Sequence, residues 1–204
     1  SAERLADAKQ GFGQPTGLVK FIGDDNPRGF SPGSRLDLDG WRPFVDSHIA
    51  KLAGQGYARF MIWCPSGLYR VGSNFPVEFM TEWTFMQCIS LGELDRLRAV
   101  TPNLGFWWGR SSQVSGGWNT GEIWTRDIDD PADCAAGYAE LELARQRGAY
   151  EVGLDAFSYI PLWDRVTWMK AIQRDFPELR FITEPSDVDI MHTLAPTFCL
   201  YSQQ

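Results

Sequence analysis

Hydrophobic and polar positions along the chain change period again and again. Short runs rich in β-branched and aromatic residues alternate with longer runs at helical spacing. Residues 17–23, with Leu-Val-Lys-Phe-Ile inside two glycines, read as a first strand. Asp37 or Asp39 then caps a helix over about 41–53, with Phe44, Val45, His48, Ile49 and Leu52 on one face. Gln55-Gly56 stops it. Residues 57–64 make a second strand, 91–100 a helix, 103–110 a third strand, and 111–130 a long polar loop. Pro131 opens a helix over 132–147 that Gly148 ends. A strand at 151–158, a helix at 163–176, a strand at 179–185, a short helix at 187–194 and a last strand at 197–201 complete the pattern.

About six strands alternating with about five helices predict an α/β fold with a parallel sheet, in one domain over residues 1–204. A doubly wound sheet and a (β/α) barrel share this alternation. The barrel is favoured because Asp24, Trp63, Trp108, Arg110, Asp155 and Glu184 all fall at or just after predicted carboxyl ends of strands, where barrel sites collect. An open sheet would concentrate such groups at one switch point. A complete eight-fold TIM-type barrel takes ~250 residues. The expectation is therefore an incomplete or truncated barrel of about six βα units, with a homo-oligomeric partner as one way of completing the fold.

Charge and composition narrow the partners. A net charge of -7 and a pI near 4.8 argue against nucleic acid and against anionic membrane surfaces. No apolar run approaches the ~20 residues of a membrane span, and localisation stays open. The cysteines (Cys64, Cys88, Cys134, Cys199) form no Cys-x-x-Cys pair and read as core thiols. No Asn carries a glycosylation signal. Gly11-Phe12-Gly13 is rejected as a dinucleotide fingerprint because it precedes a strand instead of following one. Nine Trp against two His is the unusual feature, and indole is a favoured platform for the apolar faces of sugar rings.

The strand-helix-strand unit over 151–185 sets the chemistry. Its two strands lie side by side in a right-handed unit, so Asp155 and Glu184 emerge together at the carboxyl edge. Neighbouring parallel strands stand ~4.8 Å apart, which places the carboxylates roughly 5 Å apart, the spacing of a retaining glycosidase. Asp155 is then the nucleophile and Glu184 the general acid/base. Trp63, Trp108, Arg110 and Trp118 are expected to line the sugar site, with Asp24 beside them. Each of these also has a plain structural reading: Asp155 as a turn cap, Glu184 as a solvated loop carboxylate, the tryptophans as core.

Gly153-Leu154-Asp155-Ala156-Phe157 and Ile182-Thr183-Glu184-Pro185 resemble the (β/α) barrel glycoside hydrolases, broadly the α-amylase-like and α-galactosidase-like groups. In both, a strand-four Asp is the nucleophile, and in the α-amylase-like group the strand-five acid is a Glu. The pattern departs at Gly153, where the α-amylase-like group has Arg, and the third acid of that group lies on a later strand.

Serine-elbow, phosphate-loop and His-Glu-x-x-His motifs are absent from the sequence. No cofactor and no metal are expected, with a carboxylate-only Mg or Ca site at Asp24, Asp25 and Asp155 as the one metal alternative weighed. Two readings follow: a carbohydrate-active enzyme, specifically a retaining glycoside hydrolase, or a non-catalytic barrel-derived module that binds carbohydrate or builds an assembly.

Overall fold

Five of the short apolar runs form one parallel sheet. The computed structural model describes residues 16–19, 38–63, 79–82, 85, 93–116, 122–183 and 189–195, with backbone alone at 16–19, 38–45, 63, 93, 189 and 192. In chain order the elements are β1 (Thr16–Val19), α1 (Leu38–Gly54), β2 (Arg59–Trp63), α2 (Glu93–Val100), β3 (Leu104–Trp108), β4 (Gln113–Ser115), β5 (Ile123–Thr125), α3 (Pro131–Gln146), β6 (Glu151–Leu154), a 3-10 turn (Phe157–Tyr159), α4 (Leu162–Asp175), β7 (Arg180–Thr183) and α5 (Asp189–His192). The sheet order is β1-β2-β3-β6-β7, and every pairing in it is parallel. Each strand thus joins the sheet beside its predecessor, and the order never reverses among the described residues. The expected strand at 197–201 lies outside them.

The pleat divides the sheet into two unlike faces, because successive side chains point to opposite sides. Phe60, Ile62, Leu104, Phe106, Trp108, Val152, Leu154 and Phe181 share one face by register. They merge into a single apolar core with Ile49 of α1, Leu97 of α2, Leu141 of α3, Val166, Met169 and Ile172 of α4, and Met191 of α5. Helices from all five segments therefore cover the same face. Phe85 meets Phe106 edge-on there, with ring centres 5.0 Å apart.

The opposite face carries Arg59, Met61, Gly105, Trp107, Glu151, Gly153, Arg180 and Ile182. Met61, Trp107 and Ile182 are buried yet stand apart from the helix-covered core. Cα atoms of β2 and β6, which flank β3, approach within 8 Å of each other. In a flat sheet they would be about 10 Å apart, two interstrand spacings, so the sheet curls. Met61 shows on which side: its Sδ would lie 2.6 Å from a Cβ placed on Gly153, so it reaches across Gly105 of β3 to β6. Among the described residues no helix joins this face to the core, and it is the concave one. At its amino end Glu151, fully buried, pairs with Arg180 on the next strand at 2.9 Å.

The ends of α3 follow from sequence. Asp130 accepts the Ala132 N–H at 2.8 Å, Pro131 occupies the first turn, and Gly148 leaves the helix at φ +79°. The polar stretch expected to be loop corrects differently. Its two ends form the antiparallel hairpin β4–β5, with Val114 opposite Trp124. Three-residue strands are too short to leave a readable alternation.

Candidate functional site

Asp155 follows the last residue of β6 and continues the ladder, its N–H donating to the Trp108 carbonyl at 3.0 Å. The pleat puts it on the concave face with Glu151 and Gly153. Its half-buried carboxylate accepts one N–H on each oxygen: the indole Nε1 of Trp107 at 2.8 Å on Oδ2, and the Ala156 amide at 2.7 Å on Oδ1. Hydrogen bonds to a charged acceptor are the stronger kind, and two of them fix the rotamer.

Gly153 makes the Trp107 contact possible. A Cβ there would lie 2.1 Å from Cε3 of Trp107, so the indole rests directly on the bare backbone of β6. Any side chain at position 153 would displace this ring.

The turn beyond Asp155 is held under strain. Ala156 adopts φ +52°, the left-handed region, and among the described residues it is the one non-glycine that does so. Two fully buried serines pin this turn: Ser111 donates its hydroxyl to the Asp155 carbonyl at 2.6 Å, and Ser112 donates to the Ala156 carbonyl. Strained backbone persists only where its surroundings enforce it, and such positions cluster at functional sites.

The other expected site residues fare variously. Register sets Leu154 opposite Thr183, and Glu184 is the next residue after Thr183 but lies outside the described residues, as do Asp24 and Trp118. Trp63 is registered opposite Trp107 at the same strand end. Arg110 is half-buried and donates to Gln113 Oε1 at 3.1 Å. Trp108 belongs to the core: it has no exposure and points to the helix-covered face, because the pleat gives the concave side to its neighbour Trp107.

Two exposed aromatics that follow Asp155 in the chain escaped the sequence reading. Tyr159, in the 3-10 turn, and Trp163, in the first turn of α4, are 58% and 67% exposed. A signal was present, since an amphipathic helix seldom opens with a Trp on its solvent side. Among the described residues no cluster of three His, Cys, Asp or Glu side chains is placed to hold a metal ion.

A second polar cluster lies behind the hairpin. The buried Arg126 guanidinium sits 5.6 Å from the Trp108 ring centre and 5.1 Å from that of Trp168. It donates to the carbonyls of Asp133 and Gln113. Burial lowers its pKa, opposed by the charges of Glu140 and Asp133. Gly137 leaves the room it needs, for a Cβ there would come within 2.6 Å of Nη1. Asp133, also buried, accepts the Trp124 indole N–H at 3.0 Å and the Asp127 amide at 2.8 Å. Burial pushes the Glu140 carboxyl up to about 7, against the pull of Arg126 and of the Met80 amide.

Comparison of the chain with protein-family models, with curated proteins and with solved structures gives no match. Among the described residues, no helix is long and apolar enough to cross a membrane.

Proposed function

We propose that the chain is a carbohydrate-active enzyme of the (β/α) barrel type, a retaining glycoside hydrolase in which Asp155 is the nucleophile and Glu184 the general acid/base. The observation that carries this reading is the held carboxylate of Asp155. It stands at the carboxyl end of a parallel strand, on the face opposite the described helices, with one N–H on each oxygen. A nucleophile must meet the anomeric carbon along a fixed line, and a carboxylate locked from two sides does so without reorganising. Glu184 directly follows the residue registered opposite Leu154. Acids at matched heights on adjacent strands stand roughly 5 Å apart, which suits attack by one and protonation of the leaving oxygen by the other.

The barrel part of the proposal rests on three features of the described residues: a strand order without reversal, helices packed on one face, and the curl across β3. An open doubly wound sheet would carry helices on both faces. Closing the curl takes further strands, which the reading assigns to the remaining chain or to a second copy. The reading assigns Trp63, Arg110, Asp24 and Trp118 to the saccharide site, and adds the exposed Tyr159 of the 3-10 turn and Trp163 of the first turn of α4, which follow Asp155 in the chain.

Activated aryl glycosides of both anomeric configurations test the reading. The wild-type chain is expected to release the phenol from one of them. Asp155→Asn should lower turnover by about 10⁴-fold, and Glu184→Gln should abolish turnover of unactivated saccharides while leaving their binding intact. Saccharide binding that neither substitution alters, without turnover of any substrate, would instead identify a non-catalytic carbohydrate-binding module.

A further inference from the structure

Both hydroxyls of the Ser111-Ser112 pair are committed to the main chain that follows β6. Arg110 to Gln113 form a β-turn, closed by the Gln113 N–H on the Arg110 carbonyl at 2.9 Å. Ser111 and Ser112 occupy its two central positions, and both are fully buried. The turn is fastened from the hairpin as well. Arg126 donates its N–H to the Ser112 carbonyl and its guanidinium to the Gln113 carbonyl, each at 2.8 Å. The Arg110 side chain spans the same turn to reach Gln113 Oε1.

Burying a hydroxyl costs free energy unless it finds a partner, so the partners show what each serine holds. Ser111 gives both its N–H and its hydroxyl to the Asp155 carbonyl, at 3.3 and 2.6 Å. Ser112 gives its hydroxyl to the Ala156 carbonyl, which also takes the Tyr159 N–H at 3.3 Å. The peptide unit between Asp155 and Ala156 therefore has both its polar groups engaged: its carbonyl on Ser111, and its N–H on Asp155 Oδ1 at 2.7 Å.

We propose that Ser111 and Ser112 are positioning residues for Asp155, acting on its carboxylate through this one peptide plane; the proposal rests on the reading of Asp155 as nucleophile. A trans peptide is planar, and its carbonyl and N–H point in opposite directions. Holding the Asp155 carbonyl on Ser111 thus aims the Ala156 N–H at Oδ1. Ser112 holds the next carbonyl and with it the left-handed φ of +52° at Ala156, which alanine keeps only where neighbours enforce it. Without the hydroxyls the plane keeps only the 3.3 Å bond from the Ser111 N–H. It then rotates, the Ala156 amide leaves Oδ1, and the Trp107 indole alone holds the carboxylate.

The test compares Ser111→Ala, Ser112→Ala and the double variant of the full chain, with Ala144→Gly in α3 as the control for lost stability alone. Proton–nitrogen correlation NMR follows the Ala156 amide, and the aryl glycosides that wild type cleaves give kcat and KM. In the double variant the Ala156 amide proton should move upfield, as on loss of a hydrogen bond, and kcat should fall by about 10²-fold at unchanged KM. Each single variant should show the same shift in smaller measure, with about a tenfold fall in kcat, which keeps the test decisive if the double variant does not fold. Adding Ala156→Gly to Ser112→Ala should restore most of the activity, because glycine takes the left-handed conformation without strain. Ala144→Gly should move neither the amide nor kcat. An Ala156 amide unmoved in the serine variants overturns the proposal, as does a moved amide with kcat unchanged. A wild-type chain that cleaves no glycoside, with the amide moving as expected, overturns the nucleophile reading and confirms the hold on the carboxylate.

Discussion

Gly153→Ala is the sharpest perturbation of the site's architecture, since it adds a single methyl group where the structure has no room. The new Cβ would stand 2.1 Å from Cε3 of Trp107 and 2.6 Å from Sδ of Met61, so the indole must shift by more than an ångström to regain van der Waals contact. Overpacking of this kind costs about 1–3 kcal/mol. A shift of that size also breaks the 2.8 Å bond from Trp107 Nε1 to Asp155. Losing a hydrogen bond to a charged group costs about 1.5–3 kcal/mol. Against these stands the gain from removing a strand glycine, about 0.5–1 kcal/mol.

The net expectation is a loss of about 3 kcal/mol, read by urea unfolding followed by far-ultraviolet circular dichroism, with the m-value unchanged. The Trp107 indole proton should lose its hydrogen-bonded NMR shift. In a Trp107→Phe background the same Gly153→Ala change should cost about 2 kcal/mol less, because the hydrogen bond to Asp155 is already gone. A Gly153→Ala protein within about 0.5 kcal/mol of wild type, with the indole shift intact, would refute the claim that Trp107 rests on the bare backbone of β6.

Other consequences follow from single residues. Glu140 binds its proton more tightly folded than unfolded, with a carboxyl at about 7 against an ordinary 4.5. Its contribution to stability is therefore full below pH 4.5 and falls by about 3 kcal/mol as pH rises to 7. Glu140→Gln should flatten the urea midpoint over that window relative to wild type. Ala156→Gly should leave stability unchanged or raise it by up to about 1 kcal/mol, because glycine accepts the left-handed conformation. The same exchange at Ala144, buried inside α3, should cost about 1 kcal/mol or more.

Much of the layer order could be read from the chain because it depends on local period. The apolar runs at Phe60-Met61-Ile62 and Phe106-Trp107-Trp108, set between helical stretches, already imply a buried parallel sheet. Pro131 and Gly148 marked α3 to within a residue because caps are local chemistry. Face assignment was not legible in the same way. In Trp107-Trp108 both residues are aromatic, and only the register with Gly153 and Leu154 shows which of them reaches Asp155. Gly105 and Gly153 were the available hint, as strand glycines often mark the close approach of a bulky neighbour.

The hairpin β4–β5 was hidden by its shortness. The Arg126 cluster was hidden for another reason: nothing within a few residues of Arg126 announces burial. Its partners come from Gln113, Asp133, Trp108 and Trp168, and tertiary packing alone unites them. Glu140 is buried by a contact 60 positions away, the Met80 amide, which no local pattern announces.

The central claim is that Asp155 attacks the sugar, and covalent trapping tests it most directly. The full chain is incubated with 2,4-dinitrophenyl 2-deoxy-2-fluoro glycosides of both anomeric configurations and then mapped by peptide mass spectrometry. A retaining enzyme forms a glycosyl ester on its nucleophile and releases the phenol. The account predicts one glycosyl unit on the carboxylate of Asp155 and none in Asp155→Asn. A label on another residue, or no label and no phenol release with any of these reagents, would contradict it.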